Sequence, residues 1–376
     1  MDTAAAVPPA RLGGPARLLA IAWLAAAGAI SAGLLGELVL RLDRSRGREA
    51  ALRARDRDVF ERQWATNGAL APLWLKRSVK YRPGLRIEVG SGEDRVSVHL
   101  NSLGFRTREF SPVKPPGTVR VLCVGGSTTF AGRSDEETYP AQLERMLQAR
   151  FPSLGLVEVL NLGISGTRSD YWLQRREKLF AFQPDLVVSF HFVNDLAWRH
   201  LARFASAHPW RRRLQASLLF ARLAPLDPGE FDVLFDETLG NLLAMDRQCR
   251  AGGVAHLAAS VPFPDETLAA PEVRRHLDLD LDFWTAAFPL YSYPRYRGLV
   301  ERYDRRFESF THRHAMDRVL LHRTPGLADP TVFVDVCHLT PEGITRLAQT
   351  LLPAVAEALR GRSRRSARPD SSYTIH

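Results

Sequence analysis

Cysteine is scarce: Cys123, Cys249 and Cys337 are the three in 376 residues. An odd, widely spaced set builds no disulfide framework and lacks the paired spacing of a cysteine zinc module. Lysine is scarce too. Lys76, Lys80, Lys114 and Lys178 are all there are, so the formal charge of +10 rests on arginine. A basic chain invites nucleic acid or anionic lipid as a partner. No nucleic-acid motif accompanies these arginines, and acidic residues are interleaved with them. The excess reads as a bias toward Ala, Leu and Arg, and no nucleic-acid partner is expected. Low-complexity tracts and internal repeats are absent. At 45% hydrophobic and 24% charged residues, neither wholesale disorder nor a collagen-like chain fits.

What is present begins with a long apolar run. Leu18 to Gly36 carries no charge, and Leu38 to Leu40 extends it past Glu37. That approaches the roughly 20 residues that span a bilayer as a helix. A buried soluble helix would leave a wide apolar face in water. A cleaved signal peptide has some support from Arg11, Arg17 and the small residues Ala27-Gly28-Ala29, but the run outlasts the usual h-region of about 7–15 residues. The reading is an uncleaved single-pass anchor over 18–42, after a tail over 1–17. The C-terminal flank (Arg41, Arg44, Arg46, Arg48, Arg53, Arg55, Arg57) outnumbers the N-terminal one. By count alone, the bulk of the chain would lie in the cytoplasm.

Residues 43–117 read as a charged helical stalk followed by a small β segment, with alternating runs at Arg86–Val89 and Arg95–Leu100. From Val119 strands and helices alternate. Strands are expected at Val119–Val124, Leu156–Leu162, Leu186–His191, Val254–Val261 and Val319–His322. Helices are expected from Tyr139 behind a Thr138 cap, over Ser169–Phe182, Phe231–Arg250 and Tyr296–His314, and from Pro341 behind a Thr340 cap. This alternation predicts an α/β domain over about 118–360, a parallel sheet covered on both faces. Insertions at about 196–230 and 263–295 have the length of lids or binding loops. Residues 361–376 read as a disordered tail.

In such a sheet the site lies beyond the C-terminal strand ends. There the sequence places Gly125-Gly126-Ser127-Thr128, Asn161-Leu162-Gly163, Val193-Asn194-Asp195 and, after Val332–Val334, Asp335 and His338. A serine hydroxyl needs a base, His338 is suited to be one, and Asp335 can hold its other ring nitrogen. A carbonyl under attack needs fixed donors. The backbone N–H groups of Ser127 and Gly163 and the Asn194 amide supply them, with Gly163 letting the backbone approach the substrate. Ser127 alone is no more than a turn residue, and the set gives it meaning. His191 reads as strand-end packing, Asp195 as structural, and Cys337 as a small filler pointing away from its neighbours. Gly126 to Arg133 lacks the spacing and lysine of a phosphate-binding loop. Neither a metal nor an organic cofactor is called for.

These four blocks, in this order, resemble those of the SGNH/GDSL hydrolase superfamily. The likeness spans about 119–360, and Asn101-Ser102-Leu103-Gly104-Phe105-Arg106 with the preceding anchor is similar to bacterial membrane-attached members. The resemblance implies a three-layer α/β/α fold of flavodoxin-like topology. It also implies a serine ester hydrolase acting on an acylated small molecule, a glycan or a lipid ester, with residues 45–376 outside the cytoplasm against the flank count. O-acyl transfer at the same site, or a non-catalytic tethered module keeping the fold, are the alternatives. Two positions depart from the pattern. Gly126 stands where Asp often precedes the serine. Phe192 stands where Gly usually precedes x-Asn-Asp, and it is expected to narrow the acyl pocket.

Overall fold

The computed structural model describes residues 14–54, 83–89, 95–196, 217, 219, 228–269, 271, 273–274, 277 and 293–366. The expected stalk beyond Ala54, most of both insertions, and residues 1–13 and 367–376 of the expected tails lie outside the described residues; residues 14–17 belong instead to the first helix, and 361–366, read as disordered tail, continue the last helix to Ser366. Helix α1 (Gly14–Ala54) contains the apolar run. Its stretch Arg17–Asp43 is long and apolar enough to cross a membrane, and none of its most apolar part is buried against the protein. Glu37 on this helix accepts hydrogen bonds from Arg41 Nε (2.8 Å), Ser217 Oγ (2.9 Å) and Leu219 N (2.9 Å).

Strands β1 (Arg86–Val89) and β2 (Val96–His99) pair antiparallel, the hairpin expected from alternation. The main sheet comprises β3 (Thr118–Gly125), β4 (Leu156–Asn161), β5 (Leu186–Phe190), β6 (Ala255–Ala259) and β7 (Asp317–Val319). All neighbours are parallel, in the order β4-β3-β5-β6-β7. In chain order this is the 2-1-3-4-5 doubly wound arrangement, whose direction of growth reverses between β3 and β5. A crevice opens at that reversal, and the residues following β3 and β5 face it.

Both faces of the sheet are covered, which is why its strands read as near-continuous apolar runs. On one face α3 (Tyr139–Arg150), α7 (Tyr293–Arg313) and α8 (Pro341–Ser366) bring Leu143, Leu147, Tyr303, Leu347, Leu351 and Val355 against Val121, Val159 and Val188. On the other, Trp172 from α4 (Asp170–Leu173) and Met245 from α6 (Asp232–Ala251) share a core with Leu122, Val124 and Val187. Val96, Val98 and Phe105 belong to that second core, so it runs across residue 117 into the hairpin segment.

Three elements differ from their sequence readings. The helix expected over 169–182 is two, α4 and α5 (Arg176–Ala181). Gln174 N donates to Asp170 O and Arg175 N to Trp172 O, and the chain turns there with Trp172 fixed in the core. The last strand ends at Val319 because Leu321 N turns away to donate to Ser260 Oγ (2.9 Å). Val332–Val334, read as a strand end before Asp335, is no strand: Val332 closes a 3₁₀ turn (Pro330–Val332), with Asp329 Oδ1 accepting from Thr331 N (2.9 Å), and Phe333 makes an isolated bridge to Leu339.

Candidate active site

Each block owes its position to local structure. After β3 the chain passes through Gly125 and Gly126 into α2 (Ser127–Phe130), one helical turn that begins with Ser127. Backbone closes the space at Gly125, and at Gly126 a side chain would have to displace a neighbouring one. A Cβ on Gly125 would lie 2.7 Å from Phe190 O, and one on Gly126 would lie 2.5 Å from Asn194 Nδ2. At Gly126, where Asp is often found, a side chain would meet the Asn194 amide and require it to move.

The second partner group sits on a tight loop. A bridge pairs Phe333 with Leu339, Val334 N donates to His338 O (2.8 Å), and Thr340 N donates to Val332 O (2.9 Å). Within it, Asp335 Oδ1 accepts from Cys337 N (2.8 Å) and His338 N (2.6 Å). Thr340 then caps α8, its Oγ1 accepting from Gly343 N (3.2 Å). The loop leaves Asp335 Oδ2 2.6 Å from His338 Nδ1, and His338 Nε2 2.7 Å from Ser127 Oγ. Serine, imidazole and carboxylate therefore form one hydrogen-bonded chain.

Electrostatics follow from that contact. For His338, burial acts to lower the pKa, but the Asp335 charge and hydrogen bond override it and hold the ring well above its ordinary 6.5. For Asp335, burial acts to raise the pKa. The His338 charge, its ring hydrogen bond and the two backbone donors reverse this and keep the carboxyl ionised below the usual carboxylate range.

Of the expected oxyanion donors, Asn194 is at the crevice. One proton of Nδ2 goes to Thr167 O (3.0 Å), and an amide nitrogen has a second to give. Ser127 N–H opens a helical turn, where the geometry provides no intrahelical acceptor. Gly163 is different. Its N–H donates to Asn161 Oδ1 (2.9 Å), and a Cβ there would lie 2.7 Å from Phe130 N and 2.8 Å from Thr129 Cβ. Its missing side chain admits the serine turn rather than substrate.

Other expectations are refined in place. Asp195 is structural: it accepts from Ser169 Oγ (2.6 Å) and Ser169 N (3.0 Å), pinning the loop that presents Thr167. His191 is buried, and burial pushes its pKa down to about 4, so it stays neutral. Phe192 lines the crevice with one edge, yet its ring is stacked on Tyr303 (centroids 3.8 Å apart), which holds it in the core. Cys337 does not point away. Its Sγ lies 3.5 Å from His338 Nδ1, at the edge of the crevice. Burial pushes that thiol up to about 11, so it remains protonated beside the histidine. Asp335, Cys337 and His338 gather metal-capable atoms within 4.8 Å, but both imidazole nitrogens are engaged by Asp335 and Ser127. Asn161 is a support that nothing in its sequence context signals: its Nδ2 donates to Thr129 O (2.9 Å) while its Oδ1 takes the Gly163 N–H.

Residues 123–345 match the GDSL-like Lipase/Acylhydrolase family, more than half of the chain and all four blocks. The chain belongs to that family. It is a carboxylic ester hydrolase. No curated protein matches it. Among solved structures, the hydrolase is similar to LAE5, an alpha/beta hydrolase enzyme from the metagenome of Lake Arreo, Spain. The two share 19% identity over 63% of this chain and 95% of that one, with a TM-score of 0.41. It is similar to a catalytic mutant of Axe2, an acetylxylan esterase from Geobacillus stearothermophilus, at 18% identity over 63% and 94% and a TM-score of 0.41. For TesA the figures are 17%, 64%, 99% and 0.38.

Proposed function

We propose that the hydrolase cleaves its ester through Ser127 as nucleophile, His338 as base and Asp335 as the group that orients His338. Ser127 Oγ bonds the carbonyl carbon while its proton passes to His338 Nε2. Charge developing on the carbonyl oxygen is met by the Ser127 N–H and the second Asn194 Nδ2 proton, with Gly163 behind them as support for the turn. His338 returns the proton to the leaving alkoxide. Water then attacks the acyl-serine, giving a proton to His338; the bond from Ser127 Oγ to the acyl carbon breaks, His338 returns that proton to Ser127 Oγ, and the acyl group leaves as a carboxylic acid that ionises. Asp335 fixes the tautomer and stabilises the imidazolium. The scheme draws on this chain's own residues alone, without metal or organic cofactor. The reading is carried by the unbroken contact chain of 2.7 Å from Ser127 Oγ to His338 Nε2 and 2.6 Å from His338 Nδ1 to Asp335 Oδ2.

The domain layout that accompanies this reading has the anchor at 18–42 and the catalytic domain over about 118–360, lying outside the cytoplasm. The substrate is an ester within reach of a membrane surface, an O-acylated glycan or a lipid ester. The apolar helix preceding the domain supports the tethering.

The test combines variants with topology. Ser127→Ala is expected to lose hydrolysis of activated esters by on the order of 10⁴-fold or more, and to lose fluorophosphonate labelling. Retention of both in a folded Ser127→Ala protein rejects the nucleophile. A periplasmic-type reporter fused after His376 should be active, and activity of a cytoplasm-dependent reporter instead reverses the orientation. A panel of esters varying acyl length and alcohol on the full chain then separates glycan from lipid esters.

A further inference from the structure

We propose that Arg106 is a positioning residue for the nucleophile, holding the far end of the helical turn on which Ser127 stands. The inference rests on the reading of Ser127 given above. Arg106 lies outside residues 123–345, the part that matches the family.

The Arg106 guanidinium is 1% exposed and all of its donor atoms are directed to specific acceptors. Nη1 donates to Phe130 O (2.9 Å). Nη2 donates to Gly132 O (3.0 Å) and Ser97 O (3.0 Å), and Nε donates to Asp135 Oδ1 (2.9 Å). The guanidinium carbon lies 5.1 Å from the centre of the Phe130 ring. Phe130 is the last residue of the turn that Ser127 begins. Arg106 therefore ties off the carbonyl at the exit of the turn and the one two residues beyond. Asn161 Nδ2 holds the carbonyl of Thr129.

A turn of four residues has no stability of its own, because helix nucleation fixes several dihedrals for one hydrogen bond. Here that bond is Phe130 N to Gly126 O (3.2 Å). The direction of Ser127 Oγ toward His338 is thus set by what grips the other end of the turn. A lysine would not replace the grip, since an ammonium is a point donor and the fork spans several acceptors at fixed angles.

The segment Asn101–Arg106 is built to deliver this side chain. Asn101 Oδ1 accepts from Leu103 N and Phe105 N (3.0 Å each), and Asn101 Nδ2 donates to Arg108 O (3.2 Å). Gly104 takes φ +82°, a conformation that favours glycine and reverses the chain. Phe105 docks edge-on to Phe182 (5.9 Å between centroids) and beside Trp172 (6.0 Å). The hairpin joins through the same residue: Ser97 O accepts from Arg106, and Asp135 Oδ1 also accepts from His99 N (3.2 Å). The segment before residue 118 is thereby part of the active site's support.

The experiment compares the full chain with Arg106→Lys, counting sites by fluorophosphonate and locating the label by mass spectrometry. In the Lys variant, kcat per labelled site should fall on the order of 100-fold with KM within about twofold, as for a displaced reacting group. Labelling of Ser127 should slow in parallel, while the acid limb of the pH profile stays in place because the Asp335–His338 pair is untouched. A kcat per labelled site within about threefold of the wild type overturns the inference. Wild-type label on a residue other than Ser127 overturns the nucleophile reading itself, which separates the two failures. If Arg106→Lys aggregates, Asp135→Asn decides by the same readout. Losing the carboxylate at Nε should lower kcat roughly tenfold at unchanged KM, and an unchanged kcat overturns the proposal.

Discussion

The Asn194 carboxamide lies over the bare face of Gly126: a Cβ on Gly126 would stand 2.5 Å from Asn194 Nδ2. Gly126→Ala should push the amide off the crevice. If Asn194 meets the developing oxyanion, Gly126→Ala and Asn194→Ala should each lower kcat on the order of 10²–10³-fold with KM little changed. Steady-state kinetics on an activated ester measure both. A Gly126→Ala enzyme with wild-type kcat would show that the amide has no part in the reaction.

The His338–Asp335 contact fixes the sign of the pH dependence. His338 must be neutral to accept the Ser127 proton, and Asp335 holds its pKa well above 6.5. Activity should therefore rise with pH through that pKa, with the acid limb above pH 6.5. Asp335→Asn removes the charge that raises the pKa and leaves the burial that lowers it. The limb should move to lower pH while the plateau drops on the order of 10⁴-fold. A pH–kcat/KM profile whose acid limb is the same in both proteins contradicts this assignment.

Cys337 lies 3.5 Å from His338 Nδ1, but Asp335 Oδ2 is nearer at 2.6 Å, and the thiol is pushed up to about 11. Cys337→Ala should retain kcat within a few fold, and iodoacetamide at neutral pH should leave the full chain active. Rapid alkylation of Cys337 at pH 7 would mean that the thiol is ionised.

Phe192 lines the crevice and is also packed in the core, so its truncation is expected to be felt first in stability. It is 2% exposed, stacks on Tyr303 and touches Phe235 at 5.9 Å between centroids. Phe192→Ala should cost about 3–5 kcal/mol in denaturant unfolding, the range for a buried aromatic truncated to alanine. If it instead leaves stability unchanged and widens the acyl range, the ring belongs to the pocket.

Much of this was legible in one dimension, for physical reasons. A sheet buried on both faces must be written as short apolar runs, so Val119–Val124, Leu156–Leu162 and Leu186–His191 could be located closely. Motifs at the ends of such runs must gather at one rim, which brought Ser127, Asn194, Asp335 and His338 forward as candidates. The sequence could not say that Gly163 would give its N–H to Asn161 and its empty Cβ space to the serine turn, because that depends on how closely two loops pack. Nor could it aim Phe192, since a residue at a strand end turns toward core or crevice according to what α7 places beside it. Arg106 is the extreme case. Alone it is one basic residue among many; only folding brings Phe130, Gly132, Ser97 and Asp135 around it, from segments on both sides of residue 117, and burial gives those contacts their directing force. Composition and periodicity thus determined the layers and the order of the blocks, because they follow from local burial. Which donors are spent, and on whom, was decided by contacts between residues far apart in the chain.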